Sequence, residues 1–410
     1  MLTPLSLLFG MFLGLLSLAL PVIGAVLLWK AAHPPVRYVR QLHRAPVDGE
    51  LSNLVDDGVR PLAWKERWKE PGILSLLIVG AILLCLPLIG RPLIALAFPA
   101  GTDEPKVLEG QSHDLTRSDG TRIHVEVFGP EGAPVLVLSH GWGTSGTEWY
   151  YAKKQLAGRF RLIVWDLPGL GQTQQPGDRD YSLEAMARDL HQVLTVADGR
   201  PVVLVGHSIG GMINLTFCRQ YPDELGKQVK GVVEVDSSYT DPVRTASNSK
   251  LNEALQEPVG EPLLHLMIAA SPVVRAANWM SYQEGLLYLS NASSSFAGTE
   301  TLGMLDLVSR YQYESSPGVV ARGTLGMFHW SATDELPKIN VPFLAIVGDK
   351  DTTTLPRASE TMQARVPGGR MQVVGPGRHY SLLERNSQVD EAIAGFAGAA
   401  EKALPSPSHP

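Results

Sequence analysis

The stretch Val202-Val203-Leu204-Val205-Gly206-His207-Ser208-Ile209-Gly210-Gly211 constrains the fold of this chain more than any other. Its first four residues are apolar and mostly β-branched, the pattern of a strand buried on both faces. The small residues after them allow a turn too tight for bulky side chains. From Met212 through Leu215, Thr216 and Cys218 to Tyr221 a helix continues until Pro222. Strand, sharp turn and helix with Ser208 at the apex is the setting in which G-x-S-x-G presents a reactive hydroxyl at a sheet end. A glycine-rich turn with an incidental serine explains the same pentapeptide more simply, so the rest of the chain must decide between the two.

Residues 5–29 contain no charged side chain, and at 1.5 Å per residue the run crosses the roughly 30 Å of a bilayer's hydrocarbon with some tilt. Pro21 and several glycines interrupt it, as membrane helices tolerate. A signal peptide is the competing reading, but no Lys or Arg precedes Leu5 and the run exceeds a usual signal core. A second uncharged run, 73–90, spans about 27 Å and stops at Arg91, whose charge costs about 2.5–3.5 kcal/mol at the bilayer centre but can snorkel at the rim. The alternative is a buried core helix, against which stands the lack of any polar stripe. The loop 30–72 between the runs carries Lys30, Arg37, Arg40, Arg44, Arg60, Lys65, Arg67 and Lys69. By the positive-inside rule that loop is cytoplasmic, so residues 1–106 form a membrane hairpin with linker and the remainder is extracytoplasmic.

Beyond 107 the pattern becomes that of alternating strands and helices. Thr121 to Val127 alternates like an exposed strand, while 134–138, 161–165, 231–235, 343–347 and 371–374 read as further strands. Leu183, Met186, Leu190, Val193 and Leu194 fall at helical spacing behind Ser182 as N-cap. This rhythm predicts a mostly parallel sheet with helices on both faces, spanning 107–403. The segment 241–336 breaks it with helical spacing and no buried strand, and is read as a helical cap above the strand ends, where open sheets bind ligands. The Pro- and Ser-rich tail 404–410 is expected to be disordered. With 410 residues and 44% hydrophobic content, the chain can bury a large core. A net charge of −6 gives no basic field for nucleic acid, and the two cysteines, Cys85 and Cys218, suggest neither a metal site nor a disulfide framework.

A serine hydroxyl needs a base to take its proton and a third group to orient that base. Gly348-Asp349-Lys350-Asp351 follows the strand 343–347 and Gly377-Arg378-His379 the strand 371–374, which gives the order serine, acid, histidine. With His140-Gly141-Trp142-Gly143 and Asp166-Leu167-Pro168-Gly169-Leu170-Gly171 upstream, the chain from about 107 to 402 resembles the α/β-hydrolase superfamily, in its capped, esterase- and lipase-like, haloperoxidase-like branch. The resemblance implies an α/β-hydrolase fold: a mostly parallel eight-stranded sheet, helices on both faces and a helical cap insertion, here preceded by two transmembrane helices. It implies Ser208 as nucleophile, Asp351 as acid, His379 as base, and an oxyanion hole from the backbone N–H groups of Trp142 and Ile209. Asp349 and Asp236 remain alternative acids. His207 and His140 read as structural, and Asp166 to Gly171 as a shaped loop. Trp279, Tyr282, Tyr288, Phe328 and Trp330 either line an acyl pocket or pack the core.

The expected activity is cleavage of carboxylic esters, lipid-derived ones among them, at a membrane. No metal or organic cofactor is expected, the protein partners are unknown and no nucleic acid is involved. A perhydrolase or carbon–carbon bond hydrolase on the same triad, and a non-catalytic membrane-tethered binding module, are the alternatives. A serine at the elbow argues against the aspartate-dependent epoxide hydrolases and haloalkane dehalogenases that the resemblance also brings to mind.

Overall fold

A computed structural model describes residues 3–33, 38–44, 54–61, 63–67 and 71–402. Its centre is one sheet of eight strands: β1 (Gln111–Ser112), β2 (Val125–Phe128), β3 (Val135–Ser139), β4 (Arg161–Trp165), β5 (Val202–His207), β6 (Val229–Val235), β7 (Phe343–Gly348) and β8 (Arg370–Val374). They lie in the order β8-β7-β6-β5-β3-β4-β2-β1. From β8 to β4 all pairings are parallel, while β2 joins β4 and β1 antiparallel. The strand period of two divides the core. Val202 and Leu204 face one helical layer with Met186, Leu190, Leu215 and Phe217. Val203 and Val205 face the other, with Trp149, Leu383, Ile393 and Phe396. Parallel strands covered on both faces explain the continuous apolar runs in the sequence.

The expected strand over 121–127 is two strands. Arg122–Ile123 pairs with Leu115–Thr116 in a separate ribbon, and only Val125–Phe128 enters the main sheet. The break falls at His124, whose N–H donates to Thr173 Oγ1 and whose carbonyl accepts from Asp166 N–H, so that residue is drawn out of the ladder. Nor is the strand exposed, since Ile123, Val125 and Val127 are buried. Edge strand β1 has no counterpart in the strand pattern, because its two residues are polar and exposed.

Between β6 and β7 the chain is helical. Its principal helices are Glu261–Ala269, Ser271–Gln283, Leu286–Ser294, Leu302–Glu314 and Pro317–Met327. At the start of the chain stand α1 (Pro4–Ala32) and α2 (Pro71–Ala97), each long and apolar enough to cross a membrane. Both outrun the uncharged segments that announced them, and α2 continues through Arg91 and Pro92. The two cross closely: a Cβ on Gly24 would come within 2.6 Å of Leu84 N and 2.8 Å of Gly80 O. In the connecting loop, Tyr38–Arg44 pairs antiparallel with Leu54–Pro61. Arg37, Lys69 and the tail 404–410 lie outside the described residues.

Candidate active site

Ser208 leaves β5 with φ 55° and ψ −118°, a conformation that non-glycine residues rarely adopt, and begins the helix Ile209–Gln220. The turn is sterically exacting. A Cβ on Gly206 would strike the backbone of Gly210 and Gly211, and one on Gly210 would lie 3.0 Å from Ser139 Cβ. Ser208 N–H donates to Val235 O (2.9 Å) and Ser208 O accepts from Ser237 Oγ (2.7 Å), so the end of β6 and the turn after it hold the apex on both sides.

His379 and Asp351 arrive on the loops after β8 and β7. His379 Nε2 lies 3.1 Å from Ser208 Oγ, and His379 Nδ1 lies 2.9 Å from Asp351 Oδ2. Asp351 Oδ1 accepts from Thr353 N–H (2.7 Å) and Thr354 N–H (3.1 Å), and Oδ2 accepts from Thr354 Oγ1 (2.6 Å). Burial alone would push the Asp351 carboxyl up, but His379 and these donors outweigh it and hold the group below the usual carboxylate range. Burial lowers the pKa of His379 despite Asp351, leaving a neutral imidazole whose Nε2 can accept the serine proton.

The two alternative acids point elsewhere. Asp349 Oδ1 accepts from Gly377 N–H (2.8 Å) and shapes the loop that carries His379. Asp236 Oδ1 accepts from Gly348 N–H (2.8 Å) and its Oδ2 from Ser381 Oγ (2.5 Å), tying β6 to the same loops. Burial and the nearby charge of Asp351 push Asp236 up to about 8, so it is mainly protonated at neutral pH. Among the described residues, Asp351 is the carboxylate hydrogen-bonded to His379.

A second buried network supports the first. His207 Nδ1 donates to Glu148 Oε1 (2.6 Å) and its Nε2 donates to the carbonyl of His379 (2.8 Å). With acceptors at both nitrogens the ring is an imidazolium: burial works against the charge, but Glu148 raises the pKa. Glu148 Oε1 also accepts from Gly141 N–H (3.0 Å), which links the histidine loop to the turn carrying Trp142. His140 Nε2 accepts from Leu167 N–H (2.9 Å), so its proton sits on Nδ1, donated to Gly141 O (2.8 Å). Asp166 accepts from Gly146 and Gln172 N–H groups, as a shaping residue would.

Trp142 and Ile209 have backbone N–H groups without a protein acceptor among the described residues. The Trp142 indole donates to Val320 O (2.8 Å) in the helix Pro317–Met327, pinning cap to turn. Ser208 is only 2% exposed. The cleft lined by Ser145, Thr147, Asp166, Arg310, Tyr311 and Glu314 does not reach it. Of the cap aromatics, Tyr282 and Tyr288 donate to Asp306, Trp330 donates to Thr216, and Phe328 packs beside Leu264 and Ala321. These four pack or bond within the fold, whereas Trp279 faces outward.

Glu148 and Thr354 went unsignalled in the sequence. Thr354 lay within reach, because an aspartate followed by threonines is a pattern for side-chain-to-backbone bonding. Glu148 carries no local mark; only tertiary packing buries it under His207.

The profile of the alpha/beta hydrolase family matches residues 136–392. A pimeloyl-[acyl-carrier protein] methyl ester esterase of Aeromonas hydrophila is 25% identical over 279 residues, covering 67% of this chain and 99% of that protein. A thermophilic esterase from Thermogutta terrifontis superposes with a TM-score of 0.57 at 23% identity, over 71% of this chain and 99% of its own. A membrane phospholipase A superposes with a TM-score of 0.58 at 19% identity, over 81% and 97% of the two chains. Likeness of these two structures at such identities concerns the fold alone.

Proposed function

The chain belongs to the alpha/beta hydrolase family, and on that premise we propose that it is a membrane-anchored serine hydrolase that cleaves carboxylic esters through an acyl-enzyme. The observation that carries this reading is the unbroken hydrogen-bonded line from Ser208 Oγ through His379 to Asp351. In it, Ser208 Oγ attacks the ester carbonyl while His379 Nε2 takes its proton, and the same proton passes to the departing alcohol. Asp351 holds the Nδ1–H tautomer and balances the imidazolium. The N–H groups of Ile209 and Trp142 receive the oxyanion. Water, activated by His379, then releases the acid and restores Ser208. The cycle uses the chain's own groups, the substrate and one water molecule.

Anchoring is supported by the outward faces of α1 and α2: only 17% and 11% of their most apolar windows is buried, unlike helices of a core. The excess of Lys and Arg in the loop 30–72 supports a cytoplasmic loop and hence a hydrolase domain outside the cytoplasm. An anchored site lies close to amphiphilic substrates, and lipid-derived acyl esters are the class we favour. A panel of esters graded in chain length, in detergent and in vesicles, tests the choice. Turnover that rises with chain length and with vesicles, and vanishes in Ser208→Ala, is expected. Turnover restricted to short, soluble esters would discard the lipid.

A further inference from the structure

Resting on the anchoring just proposed, we infer that the cap is itself seated in the membrane, with the outer face of the helix Ser271–Gln283 resting in the acyl-chain boundary of the extracytoplasmic leaflet. The hairpin does not merely tether the hydrolase domain. Gly14 packs so that an added Cβ would lie 3.2 Å from Ala277 Cβ, and Ser17 Oγ lies 2.6 Å from Ser281 Oγ. At the other helix, Gly90 abuts the backbone of Glu284, and a Cβ on Gly285 would lie 2.6 Å from Ile94 Cγ1. Nearer the chain start, Leu5 N–H donates to Asn252 Oδ1 at 3.1 Å.

Lengths decide what this docking means. Lys30 marks one rim of α1, and Ser17 lies about 20 Å along the axis from it. Hydrocarbon about 30 Å thick therefore continues roughly 10 Å past Ser17. Letting Lys30 snorkel by one turn shifts the rim by about 5 Å and still leaves Ser17 inside. The level at which α1 touches Ala277 and Ser281 is thus within the bilayer or at its boundary.

The surfaces agree. Beside the cap the hairpin still turns apolar side chains outward: Phe9, Phe12 and Leu15 on α1, with Leu93 and Leu96 on α2. On the helix Ser271–Gln283, Pro272, Val273, Ala276 and Trp279 form an exposed stripe at helical spacing, with Val273 60% and Trp279 46% exposed. Beside that stripe the exposed Arg275 sends Nη2 to Glu314 O (3.4 Å), and Asn278 Nδ2 donates to Gln312 O (2.8 Å), so both polar side chains are tied to the neighbouring helix. Arg91 is charged at this level but paired. Its guanidinium stacks on Tyr282 at 4.6 Å, donates to Tyr288 Oη at 3.2 Å and lies 3.6 Å from Asp306. Amphipathic surfaces of this kind settle about 5–10 Å into the headgroup and acyl boundary, the depth that the helix lengths require.

The test uses the full chain in phosphatidylcholine vesicles, in a Cys85→Ala background, since Cys218 is buried. Single cysteines at Val273→Cys, Trp279→Cys, Ile23→Cys and Gln388→Cys carry an environment-sensitive fluorophore, quenched by lipids spin-labelled at shallow or deep positions. Fluorophosphonate labelling of Ser208 checks that each variant is folded. The expected result is loss of about half the emission at 273 and 279 with shallow quencher, deep quenching at 23 and none at 388. Quenching at 23 without quenching at 273 and 279 overturns the seated cap while anchoring stands. Absence of quenching at 23 removes the anchoring on which the inference rests. Protected but unquenched labels at 273 and 279 would mean that a second copy of the chain covers the stripe, which also overturns it.

Discussion

At the scale of residues, two buried carboxyls share one neighbourhood and divide the work. Asp351 keeps its charge because His379 and the Thr353 and Thr354 donors face it, whereas Asp236 is pushed up to about 8. Asp351→Asn is expected to lower kcat by about four orders of magnitude with the fold intact, as loss of the correct histidine tautomer does elsewhere. Steady-state kinetics beside circular dichroism checks this, and near-normal turnover would return the role to Asp349 or Asp236. The raised pKa of Asp236 gives a second, independent expectation. An acid whose folded pKa lies above its unfolded value makes the folded state bind the extra proton, so stability falls as pH rises from the ordinary aspartate range to about 8. Thermal unfolding of the parent protein between about pH 5 and 8 is therefore expected to show that decline, and Asp236→Asn to flatten it. Equal slopes in the two proteins would contradict the burial argument.

At the scale of elements, small residues set the distances. Gly24 allows α1 and α2 to cross backbone to backbone, and Gly24→Val places a methyl-bearing carbon 2.6 Å from Leu84 N. Overpacking of this kind costs about 1–3 kcal/mol, so unfolding in detergent should shift to lower temperature while Ser208 remains reactive. An unchanged midpoint would mean that the hairpin does not pack as described. The elements also show what the sequence reveals and what it hides. β3 to β7 are short runs rich in β-branched and other apolar residues and bounded by turn residues, and all are found where the pattern puts them. The order of Ser208, Asp351 and His379 was legible because parallel strands deliver their following loops to one edge. Strand β1 was not, since two exposed polar residues carry no period. Glu148 was hidden because its partner His207 is distant in sequence and its bond to Gly141 N–H forms only once the turn between them is folded. The docking of hairpin on cap was hidden for another reason: an apolar helix face looks the same whether lipid or protein covers it.

At the scale of the molecule, the sheet with its covering helices, the helical insertion between β6 and β7 and two apolar helices form one continuous structure, and the proposed orientation rests on the charge of the loop 30–72. Protease added to intact cells is expected to cut beyond Lys106, and protection until lysis would invert the topology. That outcome would leave the chemistry untouched, because the site is built entirely from loops at the strand ends. Activation of Ser208 by His379 is tested by treating the full-length protein with a fluorophosphonate and locating the adduct by peptide mass spectrometry. One adduct is expected on Ser208, absent in Ser208→Ala and strongly slowed in His379→Ala. Well-folded protein that takes no label, or takes it on another residue, would contradict it.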